Sequence, residues 1–354
     1  MSPDRTEIGS EFHWDPAVLL NAEQGGLPRW MPEQHELFAT GCGALAELLR
    51  RIAPAGRLHV PSYFCMGVAE ALSELIPITW YRHLPDGRGP RWETLRARDG
   101  DVVLAQNLFG RDDGGPWHAW IRAHPAIPVI EDHSHDPFGD WARDSVAAYA
   151  IASLRKTLPL PDGGLLWSPR GLGLPRPRGP ESTGAHLKLA AMLLKAAWRS
   201  GRPIDKEHFR SLQQQGEHEL LGHAGPACAF TRAALPLLDV TGLRAADAAA
   251  ARELAGVLSA RTPLIRVVGD GPFRVQLECT SPQARDALQA HLARNGIFAP
   301  VHWRQDRHGL WSGDHEAFEA AGRMLTLPAD HRCRPADLWR MAEVVRAFEP
   351  ALAA

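Results

Sequence analysis

No stretch of the chain approaches the roughly 18 consecutive apolar residues of a membrane-spanning helix. The opening residues, MSPDRTEIGSEFHW, have no apolar core of signal-peptide type. Charge of one sign is also missing: 39 Lys and Arg stand against 41 Asp and Glu, a net charge of −2. That speaks against bulk electrostatic attraction to nucleic acid or to an anionic membrane. Cysteine is sparse. The five present (Cys42, Cys65, Cys228, Cys279, Cys333) include no CxxC pair, which argues against a disulfide framework and a structural zinc site. Together these absences predict a soluble, reduced, cytoplasmic protein with neither nucleic acid nor membrane as a partner.

What is present is an ordinary globular mixture. The 354 residues are 45% apolar and 23% charged, enough for roughly two domains with a sizeable core. The 29 prolines and 32 glycines punctuate the apolar segments. One stretch, PRGLGLPRPRGPESTG (169–184), reads as an exposed loop or flap.

From about residue 38 the pattern becomes regular. Leu45, Leu48, Leu49 and Ile52 have the spacing of an amphipathic helix over 44–53, with Thr40 and Gly41 placed to cap it. Short apolar runs follow at Leu58–Val60, Ile76–Tyr81, Val102–Ala105, Ile127–Ile130 and Val146–Ala152. Helix-like segments at 67–75 and 117–123 separate several of them. This alternation predicts an α/β architecture with a mostly parallel central sheet covered on both faces. Beyond residue 230 the texture changes to a helical 245–260, a strand-like 272–279, a helix over 282–296 closed by Gly296, and a last helix over 338–349. A smaller C-terminal α/β domain is the expectation.

In such a sheet, ligands sit beyond the carboxyl ends of the strands. Lys156 follows one of these ends, with Ser153 before it and PDGG (161–164) after it. It is either an exposed turn lysine or an amine that forms a Schiff base with a carbonyl cofactor. Asp132 ends another strand, where a carboxylate needs a cation, a metal or strong donors. TGCGA (40–44) opens a helix whose free amides suit a phosphate. Tyr63 and Phe64, after the Leu58–Val60 run, are core aromatics or a stacking surface for a cofactor ring. Asp132, His133, His135 and Asp136 also form an HxHD cluster of metal-binding type. That leaves a metal-dependent hydrolase as an alternative, although His302, His308, His315 and His331 are spread singly.

Taken in order, ATGCGALAELL (39–49), VPSYFC (60–65), VVLAQNLFG (102–110), VIEDHSHDPFG (129–139), SLRKTLPLPDGG (153–164), NGIFAPVHW (295–303) and MLTLPAD (324–330) resemble the DegT/DnrJ/EryC1/StrS family of pyridoxal phosphate-dependent aminotransferases. The resemblance spans about residues 35–350 and implies the type I pyridoxal phosphate-dependent transferase fold. It implies an N-terminal arm (1–34), a large cofactor-binding domain (35–240) and a small C-terminal domain (241–354). Lys156 would be the Schiff-base lysine and Asp132 the partner of the pyridine nitrogen. His135 would lie near the phenolic oxygen. Ser153 with Cys42, Gly43 and Ala44 would hold the phosphate, and Tyr63, in preference to Phe64, would stack on the ring. His302 and Trp303 would face the substrate, with no metal involved.

The implied activity is transfer of nitrogen from an amino donor to a keto sugar, cyclitol or small keto acceptor of a glycan or secondary-metabolite pathway. Elimination, replacement or cyclisation with the same cofactor is the nearest alternative. The family also implies a homodimer whose sites are completed by the neighbouring subunit. Three features differ from the family pattern: the compact SLRK in place of SFxxxK, AADAAAARELAG in place of an Arg–Asn pattern, and a divergent 169–230 segment.

Overall fold

The computed structural model describes residues 7–21, 23–258, 265–305 and 310–352, the last four without their side chains. After a two-residue strand β1 (Ile8–Gly9), seven strands build the large sheet. They are β2 (His35–Phe38), β3 (Leu58–Pro61), β4 (Ile78–Tyr81), β5 (Val102–Gln106), β6 (Val129–Asp132), β7 (Tyr149–Ser153) and β8 (Gly164–Trp167). The spatial order is β2-β8-β7-β6-β5-β3-β4. All neighbours run parallel except β8, which is antiparallel to both β2 and β7.

Alternate side chains of these strands serve opposite faces. Leu104, Ile130 and Ile151 pack with Leu45, Leu48 and Leu49 of the Gly41–Ile52 helix. Val103, Ala105 and Val129 pack with Trp117 and Ile121 of the Gly114–Ala123 helix. Strands β3, β5, β6 and β7 are buried at every position, which is why they read as largely apolar runs, although His59, Gln106, Glu131, Asp132 and Ser153 are buried among them. Each of the three helix leucines contributes about 1.5–3 kcal/mol by leaving water. The chain steps outward from β3 to β4 and then returns to β5 on the other side of β3. Ligands of open α/β sheets lie at such a reversal, outside the carboxyl ends.

A second core follows. Strands β9 (Ile265–Asp270), β10 (Val275–Cys279) and β12 (Met324–Leu327) form an antiparallel sheet in the order β12-β10-β9. Leu254, Leu277, Leu288, Leu325 and Met341 fill it. The intervening β11 (Ile297–Phe298) pairs in parallel with β1, and Ile8 joins this core. Helix Pro282–Arg294 ends as its sequence suggests, with Gly296 left-handed at φ 74°.

Two stretches differ from the sequence reading. The irregular segment after β8 stops at Ser182, which caps a helix at Thr183–Arg199; a second helix, Lys206–Leu220, packs on it. The helix expected over 245–260 already begins at Val240 and is described to Leu258, so residues 259 and 260 lie outside the described residues. Among the described residues, no helix is long and apolar enough to cross a membrane.

Candidate active site

Lys156 stands where β7 turns away from the sheet. Its turn, Leu154–Lys156, is held from inside. Leu154 is fully buried, and its N–H donates to the Gly163 carbonyl (2.9 Å). The PDGG segment makes that contact possible. Gly163 adopts φ 121°, and a Cβ on Gly164 would fall on the Thr40 carbonyl, 2.6 Å from the Gly41 nitrogen. Asp162, wholly buried, accepts from the Cys228 amide at 2.8 Å and from the Thr231 hydroxyl. The turn is therefore a rigid mount, and the two side chains leaving it meet different ends. Arg155 forms a two-pronged bond to Glu217 (2.9 and 2.7 Å). Lys156 has no carboxylate partner among the described residues; its Nζ lies 5.8 Å from the centre of the Trp303 ring.

That amine lines a cleft of about 820 Å³ between the large sheet and the second core, together with His302, Trp303, Phe273 and Arg274. Behind Trp303 lies His135, with ring centres 5.3 Å apart and planes 16° apart. His135 is buried, stacks on Phe273 at 4.2 Å, and accepts the Phe109 N–H through Nδ1 (3.0 Å). With Nδ1 accepting, the proton of the neutral ring sits on Nε2, and Nε2 is buried without a partner among the described residues. Burial first, then the charge of Lys156, holds the pKa of His135 well below the ordinary histidine value. His302 is lowered likewise by burial, Arg274 and Lys156. Both rings are neutral at physiological pH.

Asp132 ends β6, beside β7. It is 8% exposed, and Oδ1 accepts from the Ser134 amide at 2.9 Å. Oδ2 has no partner among the described residues. A nearly buried carboxylate with one uncommitted oxygen calls for a cationic or strongly donating ligand group. The Ser134 hydroxyl in turn accepts the Ser153 N–H (2.9 Å), so Asp132 and Ser153 are joined through one residue.

Ser153 faces the start of the Gly41–Ile52 helix: a Cβ on Gly41 would lie 3.5 Å from the Ser153 Cβ. The helix amides settle which donors remain. Thr40 is the N-cap, its hydroxyl accepting from the Gly43 amide (2.9 Å), and the Ala44 amide donates to the Thr40 carbonyl (3.0 Å). Gly43 is also packed tightly, for a Cβ there would fall on the His223 carbonyl, 2.7 Å from the Ala224 Cα. The expected set of Cys42, Gly43 and Ala44 is thus corrected. The amides of Gly43 and Ala44 are spent, and the open donors are those of Gly41 and Cys42.

Two further expectations change. Of the expected site residues, Lys156, His302 and Trp303 border the cleft, whereas Tyr63, Phe64, Asp132, His135, Ser153, Cys42, Gly43 and Ala44 do not. Tyr63 is fully buried, its ring tilted 55° to Trp303 and its hydroxyl donating to the His302 carbonyl, so it braces the His302–Trp303 segment instead of presenting a stacking face. The HxHD residues diverge: His133 turns to Glu131 (3.0 Å), His135 to Phe109, and Asp136 to Arg244 (2.6 and 2.8 Å). Among the described residues no group of three or more ligating side chains converges. His308 lies outside the described residues.

The residues around the sheet's carboxyl edge fit pyridoxal phosphate: a primary amine for a carbonyl, a carboxylate with an open oxygen for a protonated ring nitrogen, and a hydroxyl with two open amides for a phosphate. Sequence reading missed Phe273, Arg274, Lys188 and Glu217. None carries a motif, and only their placement around the cleft marks them.

No protein-family profile and no curated protein matches the chain. Solved structures do. Spr1654 of Streptococcus pneumoniae, in its PMP form, is 12% identical with a TM-score of 0.67, covering 98% of this chain and 99% of that one. Helicobacter pylori PseC, an aminotransferase of pseudoaminic acid biosynthesis, is 13% identical with a TM-score of 0.62, covering 98% and 100%. A DegT DnrJ EryC1 StrS aminotransferase from Brucella abortus is 15% identical with a TM-score of 0.58, covering 90% and 86%. At such identities the likeness establishes the fold, over nearly the whole chain. It is the type I fold that the sequence resemblance implied.

Proposed function

We propose that this chain, built on the fold of those aminotransferases, is itself a pyridoxal phosphate-dependent aminotransferase whose acceptor is a keto sugar, cyclitol or small ketone. The supporting observation is the pairing, at the ends of adjoining strands, of an uncommitted lysine amine and a carboxylate with one open oxygen. When bound, the cofactor supplies a carbonyl for amine exchange and an electron sink for the substrate's α-carbon.

Lys156 would hold the cofactor through its carbonyl carbon, and its amine, when free, would serve as the base and acid for the substrate's α-proton. Asp132 Oδ2 keeps the ring nitrogen protonated. The Ser153 hydroxyl and the amides of Gly41 and Cys42 take the phosphate. His135, neutral and with its Nε2–H uncommitted, would be the donor to the cofactor's phenolic oxygen. His302 and Trp303 wall the cleft and keep water from the reacting carbon. The reading extends to a cytoplasmic homodimer, which light scattering of the purified protein tests for assembly.

The decisive experiment is an absorption spectrum with pyridoxal phosphate. The wild type should show a visible band that L-glutamate bleaches, and Lys156→Ala should lack the band. An unchanged spectrum in Lys156→Ala overturns the assignment. A band that persists while an amino acid is consumed points instead to elimination, replacement or cyclisation.

A further inference from the structure

The ring of His135 is held from both cores. The turn after β5 supplies the Phe109 amide, which donates to Nδ1 (3.0 Å), and the Phe109 ring, 5.3 Å away with planes 20° apart. The tip of the β9–β10 hairpin supplies Phe273, stacked at 4.2 Å. Phe109 reaches its place through an unfavourable backbone: it is buried and not a glycine, yet it sits at φ 58°, ψ 16°. Residues with a side chain avoid that region, so the surrounding structure must impose it. Asp112 supplies part of the constraint, accepting the Leu108 amide at 3.0 Å while paired with buried His83 at 3.0 Å.

Arg111 supplies another part, and it does so without an acid. The acids beside it in sequence are committed elsewhere, Asp112 to His83 and Asp113 to capping the Gly114–Ala123 helix. Its guanidinium reaches two neutral acceptors on the hairpin: Nη1 donates to the Gln276 side-chain oxygen (3.1 Å) and Nη2 to the Val268 carbonyl (3.2 Å). A bulge makes the second acceptor available. Gln276 pairs with Gly269 and Leu277 with Val267, so Val268 is the extra residue of β9, left out of the register. Glycines allow the close approach. A Cβ on Gly269 would fall on the Arg111 Cζ, and one on Gly271 would fall on the Phe109 carbonyl, with the Arg111 Cγ at 2.9 Å. The hairpin that carries Phe273 is thus fixed to the turn that carries the Phe109 amide.

We propose that Arg111 is a positioning residue for His135: by clamping the bulged hairpin to the turn, it keeps the Phe109 amide on Nδ1 and the ring proton on Nε2, the tautomer able to donate to the cofactor's phenolic oxygen. That donor role rests on the aminotransferase reading above; the tautomer itself does not. Without the clamp, Phe109 relaxes toward an ordinary φ, its amide leaves Nδ1, and either ring nitrogen can carry the proton.

The tautomer is read in the cofactor-free protein by nitrogen–proton correlation NMR on isotope-labelled histidine, with His135→Ala identifying the signal. Wild type should show one form, protonated at Nε2. In Arg111→Ala the preference for that form should fall roughly threefold to tenfold, the worth of one hydrogen bond. In protein loaded with pyridoxal phosphate, the limiting rate at which L-glutamate bleaches the visible band should fall by a similar factor, with the half-saturating concentration unchanged. Arg111→Ala should cost nothing further in a His135→Ala background. A residue that only joined the two cores would lower the melting temperature and leave the tautomer alone. Retention of the single Nε2–H form in Arg111→Ala therefore overturns the proposal, and so does an equal rate loss in the His135→Ala background. Should Arg111→Ala not fold, Arg111→Lys, which keeps the charge but reaches one acceptor at a time, should shift the same signals less, and an unchanged tautomer there overturns the proposal equally. A wild type with no visible band would count against the aminotransferase reading alone, since the tautomer is read without the cofactor.

Discussion

Two glycines two residues apart, Gly41 and Gly43, should respond oppositely to the same added methyl. At Gly41 a Cβ meets Ser153, its Cβ at 3.5 Å, N at 3.6 Å and Cα at 3.7 Å, all ordinary contacts. Alanine is also the better helix former, by up to about 1 kcal/mol in a helix interior. Gly41→Ala should therefore melt at or slightly above the wild-type temperature without cofactor. Its methyl, however, stands between the helix amides and Ser153, in the space a phosphate must share, and should weaken pyridoxal phosphate binding by roughly tenfold or more. At Gly43 the methyl would fall on the His223 carbonyl, with the Ala224 Cα at 2.7 Å. Both are backbone, so the segment or the helix must move. Overpacking of this kind costs about 1–3 kcal/mol, and each kcal/mol lowers the melting temperature by roughly 2 °C in a chain of this size. Calorimetric melting without cofactor and an absorbance titration with it separate the two effects. Equal melting of Gly43→Ala and wild type, together with undiminished cofactor affinity in Gly41→Ala, would refute this assignment of the amides.

Two further perturbations probe the supports of the site. Burial pushes the Glu217 carboxyl up, but Arg155 and Lys188 outweigh it and bring the pKa from 4.5 to about 2. A carboxyl lowered on folding contributes stability above about 4.5 and loses it as the pH falls toward 2. Glu217 is 44% exposed, so screening leaves about 1 kcal/mol. The urea midpoint of Glu217→Gln should lie below wild type at pH 6, and the gap should narrow steadily below pH 4.5 and close only near pH 2; a gap that stays constant with pH would contradict the ion-pair account. Arg244→Ala leaves the nearly buried Asp136 unpaired. Because Arg244 is itself about a third exposed, the cost should be about 2–3 kcal/mol, below that of breaking a fully buried pair. An unchanged midpoint would show that this contact does not hold the His135 loop.

Much of the large sheet was legible because its central strands are buried on both faces and are mostly apolar, with polar residues mainly toward their carboxyl ends. The Leu45–Leu48–Leu49 spacing and the Thr40 cap were legible for the same kind of local reason. The phosphate cradle was misread because two local readings of TGCGA compete. Once Thr40 caps the helix, the Gly43 amide is no longer available, and only the hydrogen bonds decide between them. Strand β2 escaped notice because HELF is half-exposed and mixed in character. Helix Thr183–Arg199 escaped because Lys188 and Lys195 look like solvent-facing residues. In the fold both are buried, against Glu217 and Glu11 in one case and Glu7 in the other. Arg111 was beyond reach for a related reason: its acceptors, on Val268 and Gln276, lie 157 and 165 residues along the chain.

The central claim is that Lys156 is the amine that engages the cofactor's carbonyl. Treating the protein loaded with pyridoxal phosphate with borohydride, digesting it and locating the pyridoxyl group by mass spectrometry tests this directly. The account predicts a single modified peptide carrying the group on Lys156. Attachment to Lys188, Lys195 or another lysine, or no attachment at all, would contradict it.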